Sequence, residues 1–415
     1  MNTASSPKIV VFMRLPSLQE YLVAGTLWQN EKGYCFCYDQ EYLRRDDAIP
    51  IDPWQLPLSD DEFINRELFS ALRDAAPDRW GRRVLSWIAG HPSEKMSEIE
   101  ILTAVHYPQR IGALAFGSSK THPESLAPWT ASQTVFTAPE DIKPVANIVG
   151  HIDRMEDDEI ENDQCAVLDK NALQTALAAS LSLGGARPKA LVIEGGQTWV
   201  AKFSSCEDTW REPIIEQATM TLAAKCGITV AQTRLTEVDG QPILLVKRFD
   251  RLNGVAHHFV SGFTVTGANE DGNWGSYQNL AEKARLLGDK ESGPEIFRRM
   301  VFNALCSNRD DHLRNHAFFV TRDRIAMTPA YDLVPSPIRC KEWQLSLVCG
   351  LEGRVATKSN LLSDVQPFGL SSLEAGQIWD EMTNIVVGWR EHFTSCGVTQ
   401  HEMEDLKYRF LLVGS

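Results

Sequence analysis

Phe302-Asn303-Ala304-Leu305-Cys306-Ser307-Asn308-Arg309-Asp310-Asp311-His312-Leu313-Arg314-Asn315 begins as an apolar helical run and ends in a dense polar knot. Two carboxylates, a histidine and an asparagine fall between positions 310 and 315. Taken alone, the knot reads equally well as a helix cap beside a satisfied buried histidine, because aspartate is a common capping residue.

The spacing narrows the choice. Asp310 and Asn315 are separated by four residues. That is the D-x-x-x-x-N interval of a kinase catalytic loop, in which the aspartate orients the attacking hydroxyl and accepts its proton, while the asparagine reaches a magnesium ion on the phosphates. Downstream, Pro329-Ala330-Tyr331-Asp332-Leu333-Val334-Pro335 sets an aspartate among aromatic and apolar residues, which is not a solvation pattern. Asp332 follows Asn315 by 17 residues, enough for a hairpin that returns to the same cleft. Magnesium takes few protein oxygens and completes its shell with phosphates, so Asn315, Asp332 and ATP could complete a site. The two segments together favour catalysis over capping.

Around this centre, Tyr277–Leu287, Pro294–Ser307 and Glu374–Thr394 have helical periodicity, and the second half reads as mostly helical. Before it come two hairpin signals. Gly195-Gly196-Gln197 separates Ala190–Glu194 from Thr198–Phe203, and Asp239-Gly240 separates Val230–Glu237 from Ile243–Phe249. Between the hairpins, Pro213–Cys226 is an amphipathic helix stopped by Gly227. Hairpin, helix, hairpin and a helical half is the order of a bilobal kinase, although many α+β proteins share it. Lys202, late in an apolar strand, and Glu216, on the following helix, suit the strand-lysine and helix-glutamate pair that fixes phosphates. A surface lysine at a strand end is the plainer reading. In the run from Leu181 to Lys189, Gly184 and Gly185 allow N–H groups to cradle phosphates, although the run is neither G-x-G-x-x-G nor a Walker A sequence. The strand Leu244–Phe249 ends where the architecture changes, at the place of a hinge that binds adenine through its main chain.

The first fifty residues are β-rich over Lys8–Leu15, Leu22–Trp28 and Tyr34–Tyr38. Glu62–Ile88 shows helical spacing at Phe63, Ile64, Leu68 and Leu72, and Arg110–Phe116 looks like a buried strand. From Gly117 to Asp163 the pattern loosens and ends in the acidic run Glu156–Asp163, as in a linker or a surface excursion. A length of 415 residues exceeds one ordinary core. No apolar run approaches the roughly 20 residues that span a bilayer, and no signal peptide is evident. Nine scattered cysteines without a CxxC pair argue against a zinc site or a disulfide framework and for the cytoplasm. A net charge of −14 argues against free-standing nucleic-acid binding.

Several segments together resemble the HipA family of toxin kinases from bacterial toxin–antitoxin modules. They are Val23-Ala24-Gly25-Thr26-Leu27, Pro77-Asp78-Arg79-Trp80-Gly81-Arg82, Arg110-Ile111-Gly112-Ala113-Leu114, Ser182 to Lys189, Lys247-Arg248-Phe249-Asp250-Arg251, Ser276-Tyr277, Asn308 to Asn315, and Ala330-Tyr331-Asp332. The resemblance implies an α+β, atypical bilobal kinase-like fold. An accessory N-terminal subdomain would occupy residues 1–135, a mixed α/β N-lobe with the phosphate-binding loop 136–250, and an all-α C-terminal lobe 251–415. It implies an ATP-dependent serine/threonine protein kinase using Mg2+, with Asp310 as general base and Asn315 and Asp332 as metal ligands. Lys202 would bind phosphate. Ser182, Gly184, Gly185, Ala186, Lys189, Glu216 and His312 would contribute further nucleotide contacts, with Lys247 and Phe249 at the hinge. Ser182 would be the autophosphorylated, self-inactivating serine. Relatives often carry an acidic residue at the position of Lys247, which leaves main-chain hinge contacts as the part that carries over. Relatives tolerate small residues at the position of Asp311, which puts the base on Asp310. The resemblance also implies a protein substrate such as an aminoacyl-tRNA synthetase, a HipB-type helix-turn-helix antitoxin, and operator DNA reached through that partner. A kinase-fold phosphotransferase for small molecules would share the Asp…Asn…Asp geometry. A silent co-repressor would show an altered Asp310 or Asp332, and both are intact.

Overall fold

A computed structural model describes residues 7–18, 20–105, 110–124, 126, 187, 189–205, 208–268, 275–336, 343–410 and 412. The chain divides into two compact units. The first comprises Met1–Glu207, Thr236–Val260 and Val320–Arg322, and the second Asp208–Leu235, Ser261–Phe319 and Asp323–Ser415. The expected linker from Gly117 to Asp163 lies largely outside the described residues.

In the first unit, β1 (Ile9–Arg14), β2 (Tyr21–Asn30) and β3 (Gly33–Tyr38) form where β-branched and aromatic residues cluster. With β4 (Phe63–Asn65) and β5 (Leu114–Gly117) they build an antiparallel sheet of order β4-β3-β2-β1-β5. Gly25 in β2 permits this close packing, because a Cβ there would lie 2.4 Å from the carbonyl oxygen of Cys37. Short helices α1 (Gln40–Leu43), α2 (Ser70–Asp74), α3 (Arg79–Ala89) and α4 (Glu98–Thr103) accompany the sheet. The helix expected over Glu62–Ile88 is therefore corrected. Phe63 and Ile64 pair with Phe36 and Cys35 along the edge of β3, where backbone hydrogen bonding overrides a helical spacing. The helical remainder breaks at Pro77, and the Asp78 carboxylate caps α3 by accepting from the N–H of Gly81, 3.2 Å away.

A second sheet joins β6 (Lys189–Glu194), β7 (Gln197–Lys202), β8 (Thr233–Val238) and β9 (Gln241–Lys247) in the order β6-β7-β9-β8. Both expected hairpins form. Gly195 and Gly196 have φ of 57° and 76°, and Asp239 and Gly240 53° and 76°, the paired positive angles of the two-residue turn that matches strand twist. After β9 the chain makes a small ladder of β10 (Arg251–Leu252) and β11 (Val255–Ala256).

A buried ionic cluster ties this segment to the turn at Gly112, so the strand expected over Arg110–Phe116 begins only at Leu114. Asp250 accepts from Arg248 at 2.9 and 2.7 Å, from Arg251 Nη1 at 2.9 Å and from the Gly112 N–H at 2.7 Å. Both arginines also reach the carbonyl of Arg110, at 2.8 and 2.6 Å. The buried Arg110 guanidinium in turn donates to the carbonyls of Ala75 and Leu102.

The second unit is dominated by helices: α5 (Glu212–Lys225), α6 (Gly262–Thr266), α7 (Tyr277–Leu286), α8 (Gly293–Cys306), α9 (Lys358–Leu361), α10 (Ser372–Val386), α11 (Trp389–Ser395) and α12 (Gln400–Leu406). The single helix expected over Glu374–Thr394 is split into α10 and α11 around Gly388, whose backbone entropy disfavours helix continuation by about 1 kcal/mol relative to alanine. In α8, Ile296, Phe297, Met300, Val301, Phe302 and Leu305 are fully buried. That burial makes α8 the rigid support for whatever follows Cys306. Strands β12 (Phe259–Ser261), β13 (Ala317–Val320) and β14 (Ile325–Met327) form a small sheet in sequence order. Among the described residues no helix is long and apolar enough to cross a membrane.

Candidate active site

Helix α8 stops at Ser307, a non-glycine residue held at φ 56°. The turn it creates is fixed by Asn308, whose N–H donates to the Asn303 carbonyl and whose Nδ2 donates to Asn303 Oδ1 at 3.0 Å. Asn308 Oδ1 accepts from the N–H of Asp310 at 3.3 Å. The Asp310 carbonyl accepts from the N–H of His312 at 2.9 Å and from Asn315 Nδ2 at 3.0 Å. The loop is thus folded back around Asp310, whose side chain is exposed, as is that of His312. Gly262 and Gly275 let α6 and the residues before α7 press on the loop. A Cβ at either would lie 2.8 Å from an atom of Leu313, and Gly275 also has φ +74°.

The neighbouring carboxylate has the opposite environment. Asp311 is buried, and its Oδ2 accepts the Tyr277 hydroxyl at 2.5 Å and meets His316 Nε2 at 2.9 Å. Burial pushes its carboxyl upward, but His316, the Tyr277 hydroxyl and the charge of His312 outweigh this and hold it below the usual aspartate value.

From Asn315 the chain enters the β13–β14 hairpin and emerges toward Asp332. Four hydrogen bonds fix the return. The Thr328 N–H donates to the Ala317 carbonyl at 2.9 Å. Ala330 exchanges backbone bonds with Thr229 and Ala231, each at 2.8 Å. The Tyr331 hydroxyl donates to the Arg314 carbonyl at 2.8 Å, which joins the residue before Asp332 to the residue before Asn315. Asp332 itself has φ 60°. A non-glycine residue in the left-handed region costs on the order of 1 kcal/mol or more, and persists where the surroundings over-determine it.

The donor chemistry fits a magnesium ion. One carboxylate and one amide oxygen are a small, hard set that leaves most of the shell to phosphates and water. With Asn315 Nδ2 engaged by the Asp310 carbonyl, the amide oxygen is the atom that side chain would offer.

Among the other expected site residues, Lys189 and Lys202 stand directly opposite in the β6–β7 register, and Lys189 is buried. Lys247 ends β9 opposite Trp199, and the Phe249 ring packs edge-on against Phe259 at 5.1 Å. A hinge contact from Phe249 would therefore be made by its main chain. Glu216 is buried on α5 of the second unit. Ser182, Gly184, Gly185 and Ala186 lie outside the described residues. Sequence reasoning gave no role to Tyr277, Asn303 or His316. Ser276-Tyr277 stood out only as part of a family pattern, and nothing marked Asn303 within an otherwise apolar helix.

The HipA N-terminal domain matches residues 18–117, and the HipA-like C-terminal domain matches residues 181–389, just over half of the chain. The chain belongs to the HipA family. The HipA of Shewanella oneidensis, a serine/threonine-protein kinase toxin by name, is 27% identical over 189 residues, 37% of this chain and 43% of that protein. Y4dM of Sinorhizobium fredii, a kinase by name, is 32% identical over 157 residues, 34% of this chain and 37% of that protein. Each alignment spans less than half of the relative's length. The solved complex of Shewanella oneidensis HipA, HipB and operator DNA shares the HipA fold with this chain. The TM-score is 0.67 at 18% identity, over 97% of this chain and 96% of that one. The HipA fold accounts for the mixed sheet and helix content of both units.

Proposed function

We propose that this HipA-family chain is an ATP- and Mg2+-dependent serine/threonine protein kinase, the toxin of a HipA–HipB type module. One observation carries the proposal. An exposed Asp310 sits on a backbone pinned through Asn308 and Asn315, and the Tyr331–Arg314 bond draws the Asp332 segment alongside. In this reading Asp310 orients a substrate hydroxyl and takes its proton, Asn315 and Asp332 hold the metal, and Lys189 and Lys202 hold phosphate. The bound ion would neutralise charge on the phosphates. Ser182 would be the self-modified serine, and the about −1.5 to −2 charges added by its phosphate would limit activity. The protein substrate, such as an aminoacyl-tRNA synthetase, would be found by incubating the chain with γ-labelled ATP and a cell lysate and identifying the labelled proteins. Labelling of small molecules alone would favour the small-molecule phosphotransferase instead.

Two expected results arise here. Asp332→Ala should abolish Mg2+-dependent ATP binding in titration calorimetry while the chain stays folded, because in this reading the carboxylate serves the metal and not a core. Unchanged binding would make Asp332 structural. The second concerns partners. The Shewanella HipA structure contains HipB and operator DNA, and we propose the same partnership in the cytoplasm. With a net charge of −14 the isolated chain should bind DNA poorly in gel-shift titrations and join a specific complex only with its antitoxin. Strong, salt-sensitive binding by the chain alone would contradict this.

A further inference from the structure

Behind the exposed Asp310 runs a buried polar circuit to which the proposed reaction gives no role. Asp311 is 1% exposed, and its Oδ2 takes the Tyr277 hydroxyl at 2.5 Å and His316 Nε2 at 2.9 Å. The Tyr277 oxygen, on α7, lies 3.5 Å from Asn303 Nδ2 on α8. Asn303 Oδ1 takes Asn308 Nδ2 at 3.0 Å, and Asn308 Oδ1 takes the N–H of Asp310 at 3.3 Å. The circuit therefore leaves from the residue after Asp310, crosses two helices, and returns to the amide of Asp310 itself. Tyr277, Asn303, Asn308 and His316 are all buried, and the rings of Tyr277 and His316 meet edge-on at 5.8 Å.

A carboxylate taken out of water is costly unless its oxygens are well bonded. This one uses a single oxygen for two strong partners. The loop gains fixed backbone on both sides of Asp310. That matters for rate, since a misplacement of about 1 Å in a reacting group costs on the order of 100-fold.

We propose that Asp311, gripped by Tyr277 and His316, is a positioning residue that aims the Asp310 carboxylate at the substrate hydroxyl. The inference rests on the reading of Asp310 as the base. It assigns the circuit to turnover and leaves nucleotide affinity to the phosphate- and metal-holding groups.

The test uses the full chain and γ-labelled Mg-ATP, counting phosphoprotein plus free phosphate as ATP consumed, with melting curves alongside. Tyr277→Phe and Asp311→Ala are expected to lower kcat about 10- to 100-fold with KM for ATP changed less than about threefold. Asp311→Asn, whose amide oxygen still accepts from Tyr277, should recover most of the loss seen in Asp311→Ala. The Tyr277→Phe/Asp311→Ala double variant should be no slower than the slower single, because both break one circuit. Folded variants with parental kcat, losses that multiply in the double variant, or a raised KM at unchanged kcat would each overturn the proposal. If Asp311→Ala does not fold, Tyr277→Phe decides alone. Asp310→Asn separates the two levels. If it is inactive while Tyr277→Phe matches the parent, only the positioning role falls. If it is active, or if the parent consumes no ATP, the base falls and this inference with it.

Discussion

Asp310→Asn is expected to lower phosphoryl transfer by about two to four orders of magnitude, the usual reach of a lost general base. The amide keeps the size and the hydrogen-bonding edge of the side chain but cannot accept the proton. Asp310 is exposed, so the variant should melt close to the parent, within the range of ordinary surface substitutions. Labelled-phosphate transfer measures the first effect and thermal melting the second, and toxicity on overexpression should vanish with transfer. Retained activity here, with activity lost in Asp311→Asn, would move the base to Asp311. The geometry argues against that outcome. Asp311 is buried, and its Oδ2 is already committed to Tyr277 and His316.

The second large effect is on stability. Asp250→Ala should cost about 3–5 kcal/mol, as expected when one partner of a buried ion cluster is removed. That is a large share of the roughly 5–15 kcal/mol that holds a typical domain folded. The substitution leaves the buried Arg248 beside the partly buried Arg251 with no carboxylate between them and strips the Gly112 N–H of its acceptor. Burial alone would raise the Asp250 carboxyl, but the two arginines and the Gly112 N–H hold it down at about 2. A folded pKa below the unfolded one stabilises the protein above the unfolded value. The contribution of Asp250 is therefore complete above about pH 4 and drains away as pH falls toward about 2. Urea melts of Asp250→Ala at neutral pH test the magnitude, and an unchanged midpoint would show that the cluster contributes nothing net.

Much of this architecture is legible locally. The Gly195-Gly196 and Asp239-Gly240 turns declare their hairpins because only certain residues adopt the required angles. The interval from Asp310 to Asn315 points to the loop because the chemistry depends on a fixed count. What stayed hidden depends on partners far away in the chain. Phe63 and Ile64 have helical spacing, yet an open edge on β3 decides their fate. The R-F-D-R run stands out as a pattern, but its ionic role depends on Arg110 and Gly112, and the Gly112–Asp250 bond spans 138 residues. Tyr277 looks like a core aromatic until its hydroxyl is seen to meet Asp311, 34 residues later. Periodicity reports that a face is buried and does not report what it meets.

The β13–β14 hairpin has a consequence for how this sequence tolerates change. It joins Asn315 to Asp332 as a short measured arm, with the Thr328–Ala317 bond at its base and the Tyr331–Arg314 bond at its end. Strand side chains alternate faces, so adding or deleting one residue within either strand would turn everything beyond it to the wrong side. Substitutions along the arm cost only their own packing. A change of length in its strands would instead carry the Asp332 segment out of step with Arg314, whose carbonyl accepts from the Tyr331 hydroxyl. Its tip, between Val320 and Ile325, is where extra residues could be added while both of those bonds are kept.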